Sequence, residues 1–214
     1  MIIKVLKVLR KLDLVVRKKI ARKRLRVSNF TILCNTCVGG VIYNKLGQPF
    51  LTPTINIGFC DKDFFKFIHN LDFYLYECKL EFIETDKFFP VAYLGDIRLE
   101  FVHYHTEDEA RNKWEERIKR VNKDNLYLIC SDRPNGGKET EVTYEDIKSL
   151  KDYPCKNKVV FSTKHYEDID YIINLPKDKE GDFVNIYMLD KTPILHKWVW
   201  EKHFDYVKWL NDGL

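Results

Sequence analysis

From Asn29 onward the chain alternates two kinds of segment, and this alternation limits its fold more than any other feature. Short apolar runs rich in β-branched and aromatic residues predict strands at 30–34, 54–59, 80–83, 96–104, 126–130, 158–162 and 184–189. Between them, apolar residues recurring every three or four positions predict helices at 61–78, 106–123, 144–150 and 166–173, with a last helix over about 196–211. Strands separated by helices favour a parallel sheet, because parallel neighbours need a long crossover. The expected fold is therefore α/β: three layers, with a largely parallel sheet covered by helices on both faces. Ligands of such sheets gather at the carboxyl ends of the strands.

A second kind of segment precedes this pattern. Residues 1–26 hold eleven Lys or Arg against Asp13 alone, a balance of +10 within a whole-chain charge of +4, so the remainder carries −6. On a helical wheel Ile2, Val5, Leu6, Leu9, Leu12, Val16 and Ile20 fall on one side, with Lys4, Lys7, Lys11, Lys18 and Arg22 opposite. This predicts a basic amphipathic helix over 1–26, followed by a single α/β domain over 27–214. Charges interrupt the apolar run too often for a membrane span or a cleavable export signal. The helix then either lies on an anionic membrane surface or packs its apolar side on the domain or a second subunit. Nucleic acid is not an expected partner, since the rest of the chain is acidic and has no base-reading motif.

The six cysteines are scattered, which predicts reduced thiols in a cytoplasmic protein. Cys34 and Cys37 form a C-x-x-C pair, but no second pair follows to complete a tetrahedral zinc site, so no metal is expected. The loop "SDRPNGGKETEV" lacks the earlier glycine of a phosphate-binding P-loop and has Glu139 where Ser or Thr would bind magnesium.

Two stretches carry candidate chemistry. In "TILCNTCVGG" the first strand breaks into Asn35, Thr36 and Cys37 and then Gly39-Gly40. Read functionally, the paired glycines form a turn leading into a helix, where the backbone approaches a ligand closely and the helix-opening N–H groups hold an oxyanion or a donor phosphate. Cys37 is then a nucleophile of lowered pKa, and Asn35 lines the site. Read structurally, Cys37 is a small packing residue and the glycines a simple turn. In "DIRLEFVHYHTEDEARNKWEERIKRVNKDN" strand alternation puts His103 on the buried face with Ile97, Leu99 and Phe101, at a carboxyl end, with His105 nearer the loop. Thr106 and Glu109 predict a capping box for the following helix. Lys113, Arg117 and Arg120 make a basic stripe along it, open to reading as ligand contacts or as a solvated face paired with Glu109 and Glu116.

Taken together, the blocks "LCNTCVGGVIYNKLGQPFLTPTINIGF", "DFFKFIHNLDFYL" and "HYHTEDEARNKWEERIKRVNKDNLYLI" resemble the bacterial family called domain of unknown function 1919, often labelled exopolysaccharide biosynthesis protein. The resemblance covers roughly residues 28–165. Asn35, Cys37, Gly39 and Gly40 match the family's first block, where Val38 replaces the usual Trp and Cys34 the usual Ser. His103, Tyr104, Lys113, Trp114, Arg117, Arg120 and Asn122 match the second. The resemblance implies a role in making or decorating surface polysaccharide at the inner face of the membrane. In that context the expected activity is a transferase, foremost an acyltransferase, with Cys37 and His103 catalytic. Asn35, Gly39, Gly40, Tyr104, His105, Lys113, Arg117 and Arg120 are the expected ligand contacts. The partners would be a sugar or polysaccharide precursor, an acyl or nucleotide-sugar donor and an anionic membrane surface; no cofactor is identified. Glycosyl transfer and a non-catalytic scaffold in the same machinery are the alternatives.

Overall fold

The computed structural model describes residues 2–133, 141–177, 186, 189–191 and 196–214. Helix α1 (Ile2–Arg24) is followed by β1 (Thr31–Cys34), α2 (Val38–Leu46), β2 (Gly58–Phe59) and α3 (Asp61–His69). Strands β3 (Leu80–Ile83), β4 (Val91–Leu94) and β5 (Ile97–Glu100) come next, then α4 (Glu107–Ile118), β6 (Leu126–Ser131), α5 (Tyr144–Lys148), β7 (Asn157–Ser162) and β8 (Ile172–Asn174). The chain closes with β9 (Leu189–Lys191), β10 (His196–Trp198), α6 (Trp200–His203) and α7 (Tyr206–Asp212).

The fold is α/β, but its strands do not form one largely parallel sheet. A four-stranded parallel sheet has the order β1-β6-β7-β8, a separate four-stranded antiparallel sheet the order β2-β5-β4-β3, and β9 pairs with β10. The parallel strands are buried on both faces, so they read as continuous apolar runs. Alternate side chains feed two cores. Leu33, Leu128 and Val160 pack with the antiparallel sheet and the aromatic side of α3 and α4, whereas Ile32, Ile129 and Phe161 pack with α2, α6 and α7. Edge strand β1 is closed by side chains: its Ile32 N–H donates to Tyr43 Oη (2.9 Å) and its Cys34 N–H to Thr54 Oγ1 (3.1 Å).

Several sequence expectations change. The run 96–104 is a strand only to Glu100, and it is the second arm of a hairpin whose first arm is β4. Its two-residue loop is Gly95-Asp96, with Gly95 at φ 61°, the positive φ that such hairpin loops require. Of 54–59 only Gly58 and Phe59 pair. The helix expected over 61–78 ends at His69 and resumes as a π-helical turn, Phe73–Glu77. The helix expected over 166–173 does not form; the β-branched Ile172 and Ile173 instead extend the parallel sheet beside β7, whose open ladder offers hydrogen bonds. The last helix is divided into β10, α6 and α7. Apart from residues 186 and 189, the strand expected at 184–189 lies outside the described residues, as does 134–140 of the glycine-rich loop.

Helix α1 forms as expected but docks differently. Leu6, Arg10, Asp13 and Arg17, all half-buried, lead to the buried Ala21 along one row, with the half-buried Lys18 beside it. The neighbouring apolar side faces outward, with Val5, Leu12 and Val16 exposed by 52, 56 and 54%. The expectation that this side packs on the domain therefore fails. Among the described residues, no helix is long and apolar enough to cross a membrane.

Candidate functional site

The carboxyl edge of the parallel sheet begins at Asn35. Its buried amide donates to the Ser131 carbonyl and accepts from the Ser131 N–H, both at 3.0 Å, so the side chain continues the β1–β6 ladder past the last strand residue. Thr36 Oγ1 then accepts from the Val38 N–H (3.3 Å) and lies 3.1 Å from Cys34 Sγ. These bonds fix the bend and leave Cys37 as the exposed residue that caps α2.

Cys37 borders a cavity of about 200 Å³. Asn35, Thr36 and Cys37 form one wall; Asn56, Gly58, Glu100 and Val102, from β2, β5 and their flanks, form the other. Asn56 is held at φ 67°, a left-handed backbone unusual for a residue other than glycine, within the segment that shapes the wall. The cavity's ionisable side chain besides the thiol is Glu100, which pairs with Arg98 at 2.9 Å. Neither Lys nor Arg is among the described residues lining it. The surrounding protein pushes the Cys37 thiol pKa up by desolvation, where a preformed thiolate nucleophile would need it lowered. Cys34, fully buried behind it, is pushed up to about 11 for the same reason.

The Gly39-Gly40 pair is not a turn. Both glycines lie in the first turn of α2, and neither has a positive φ. Their role is close packing: a Cβ on Gly39 would sit 3.1 Å from Cys34 Cβ and 3.2 Å from Ile55 Cδ1, and one on Gly40 3.2 Å from Ile55 Cγ2. At the opening of α2 the glycines thus make a close helix–strand contact.

His103 likewise leaves its expected place. The strand ends at Glu100, and a turn closed by the Val102 N–H on Glu100 O (3.0 Å) and the Tyr104 N–H on Phe101 O (2.9 Å) turns His103 out to solvent. The sheet that carries it is antiparallel, so it is not at the end of a parallel strand, though its neighbour Val102 lines the cavity. His105 is exposed, and its N–H donates to Glu109 Oε2 (3.2 Å) while Thr106 accepts from the Glu109 N–H. Tyr104 and Arg117 are buried together: Arg117 Nη1 donates to Tyr104 Oη (2.6 Å) and to the Ile55 carbonyl (2.8 Å), with the guanidinium 5.1 Å from the Phe50 ring. Arg117 therefore holds Ile55 against the glycines and supports the cavity wall from behind. Lys113 pairs with Glu116 (2.9 Å), and Arg120 with Glu116 and the Phe50 carbonyl (3.2 Å), so the two ends of the stripe are paired through Glu116 while Arg117 between them is buried.

A pair that sequence reasoning missed lies farther along the same edge. Asp132 follows β6 and is buried; Ser162, the last residue of β7, donates its hydroxyl to Asp132 Oδ2 at 2.5 Å. Burial pushes the Asp132 pKa up, against the opposing hydrogen bond from Ser162. A signal was present, since "CSD" and "FS" end the two central strands, where ligands of parallel sheets bind.

Residues 8–211 match a family model described as Domain of unknown function (DUF1919), a longer span than the motif blocks alone suggest. An uncharacterized protein of Haemophilus influenzae is 35% identical over 197 residues, covering 89% of this chain and 88% of that protein.

Proposed function

We propose, from the premise that the chain belongs to the family Domain of unknown function (DUF1919), that it is an acyltransferase of bacterial surface-polysaccharide synthesis, attached to the inner face of the membrane through α1. The observation that supports the site is the cavity joining Cys37, Asn56 and Glu100 beside the end of β1. An amide and a carboxylate match the hydroxyl groups of a sugar, which both donate and accept. A wall with a carboxylate and no cation among its described residues disfavours the diphosphate of a nucleotide sugar and so favours acyl over glycosyl transfer.

In this reading the donor is an acyl thioester. Glu100 takes the Cys37 proton as sulfur attacks the acyl carbonyl; the donor thiolate leaves and receives that proton. The sugar hydroxyl then attacks the Cys37 thioester, passes its proton to Glu100, and the thiol is restored as the ester forms. A base beside the thiol is needed because its pKa is raised.

The test is mass spectrometry of surface polysaccharide from a strain lacking the protein, complemented with the natural chain, Cys37→Ser or Glu100→Gln. Loss of an ester-linked acyl group from an otherwise intact glycan in both variants is expected. Loss of a sugar unit would mean glycosyl transfer, and an unchanged glycan would reject transfer altogether.

A further inference from the structure

A second cavity, of about 240 Å³, lies where α1 meets α6 and α7. Its apolar lining is Leu14, Ile20, Ala21, Phe204 and Val207. Around this lining stand five basic side chains, Arg17, Lys18, Arg24, Lys45 and Lys197, against the two carboxylates of Glu201 and Asp205. The carboxylates are shared or committed: Glu201 pairs with Lys45 and lies 3.7 Å from Arg17, Asp205 pairs with Arg24 at 2.5 Å, and Arg17 is itself paired with Asp13 of the same helix at 2.5 Å, so the surplus positive charge rests on Lys18 and Lys197. Lys18 bonds to a neutral group, Asn44 Oδ1 (2.8 Å). Burial lowers the Lys45 pKa despite its partner, and the neighbouring Arg17 and Lys18 charges act in the same direction.

From this we infer that the cleft binds the phosphate of a membrane lipid, with the lipid chain running over the apolar side of α1. The inference rests on the membrane attachment proposed above. A phosphate supplies the missing negative charge and several acceptor oxygens for lysine and guanidinium donors. Free phosphate would need only the basic groups. The apolar lining and Ile20, 51% exposed on the rim, fit an attached hydrocarbon chain instead. Outward from the cleft the same helix exposes Leu9, Leu12 and Val16, a continuous apolar path from phosphate to acyl chain.

The experiment is isothermal titration of the full chain with dihexanoyl phosphatidic acid below its aggregation threshold. Saturable one-to-one binding is expected, at least tenfold tighter than inorganic phosphate and undetectable with dihexanoyl phosphatidylcholine. Lys18→Gln combined with Lys197→Gln should weaken the phosphatidic acid at least tenfold while the circular-dichroism spectrum keeps its helix content and sedimentation with anionic vesicles stays in place. Inorganic phosphate binding as tightly as the lipid would overturn the lipid assignment. Unchanged affinity in the double variant, or no saturable heat, would overturn the cleft as the site without touching vesicle attachment by α1.

Discussion

Cys37 is accessible yet reluctant to ionise, and this sets how its reactivity should depend on pH. With its pKa above the ordinary thiol value, the thiolate fraction is small at neutral pH and keeps growing through and beyond pH 9. A small uncharged alkylating reagent should modify Cys37 well before the buried Cys34 and Cys130, at a rate that climbs about tenfold per pH unit up to pH 9; peptide mapping reads this, and a plateau near pH 7 would contradict it. Asp132 is the opposite kind of residue, a carboxyl kept from water by the fold. Its folded-state pKa is raised, so between the unfolded and folded values the native chain binds more protons, and stability falls as pH rises through that window. Asp132→Asn keeps the Ser162 hydrogen bond without the buried charge, so it should raise the melting temperature at pH 7 and leave it unchanged near pH 3. Such a gain at a strand end is the pattern of a residue kept for function at the expense of stability. At this scale the sequence made Asn35 and Cys37 legible because local order alone places them at the strand end. It did not reveal that Glu100 lines the same cavity as Cys37, since that placement depends on how two sheets meet.

Helix α2 and hairpin β4–β5 show where local pattern misleads and where it is sufficient. Two adjacent glycines after a strand read equally well as a turn or as the small face of a packed helix, and only the position of Ile55, held by buried Arg117, decides between them. Gly40→Val should therefore destabilise the fold by about 1–3 kcal/mol through overpacking, not through backbone strain. In an Ile55→Ala background the same substitution should cost less, with a coupling of at least about 0.5 kcal/mol in a double-mutant cycle measured by urea denaturation. Strict additivity would mean that the two sites do not touch. The hairpin, by contrast, was legible: "VAYLGDIRLE" is two apolar runs flanking Gly-Asp, a two-residue loop signal. Strand β8 was not, because an edge strand of three residues takes its conformation from the neighbour it pairs with rather than from its own composition.

For the molecule as a whole, the outward apolar side of α1 is the large feature that the two cores leave unexplained. The domain takes hold of the helix by polar contacts, Arg24 on Asp205, Lys18 on Asn44 and the buried Lys45–Glu201 pair beneath Arg17, around the buried Ala21. This mode of docking leaves Val5, Leu9, Leu12 and Val16 for another surface. A second copy of the helix is a poor partner, since α1 carries ten basic residues and one acidic one, and pairing two copies brings like charges together. An anionic bilayer takes both the aliphatic row and the charge, at about 1 kcal/mol for each basic residue near its surface. The intact protein should thus co-sediment with vesicles containing acidic lipid, poorly with neutral ones, and less as salt shortens the Debye length from about 10 Å at 0.1 M to about 3 Å at 1 M. Leu12→Asp combined with Val16→Asp alters the exposed row and leaves the docking row intact. It removes two aliphatic side chains, each worth about 1.5–3 kcal/mol when buried, and so should reduce vesicle binding at least tenfold without lowering the melting temperature. Equal binding by the double variant would show that the helix attaches by charge alone. A change from dimer to monomer in analytical ultracentrifugation would instead assign the apolar row to a second copy of the chain.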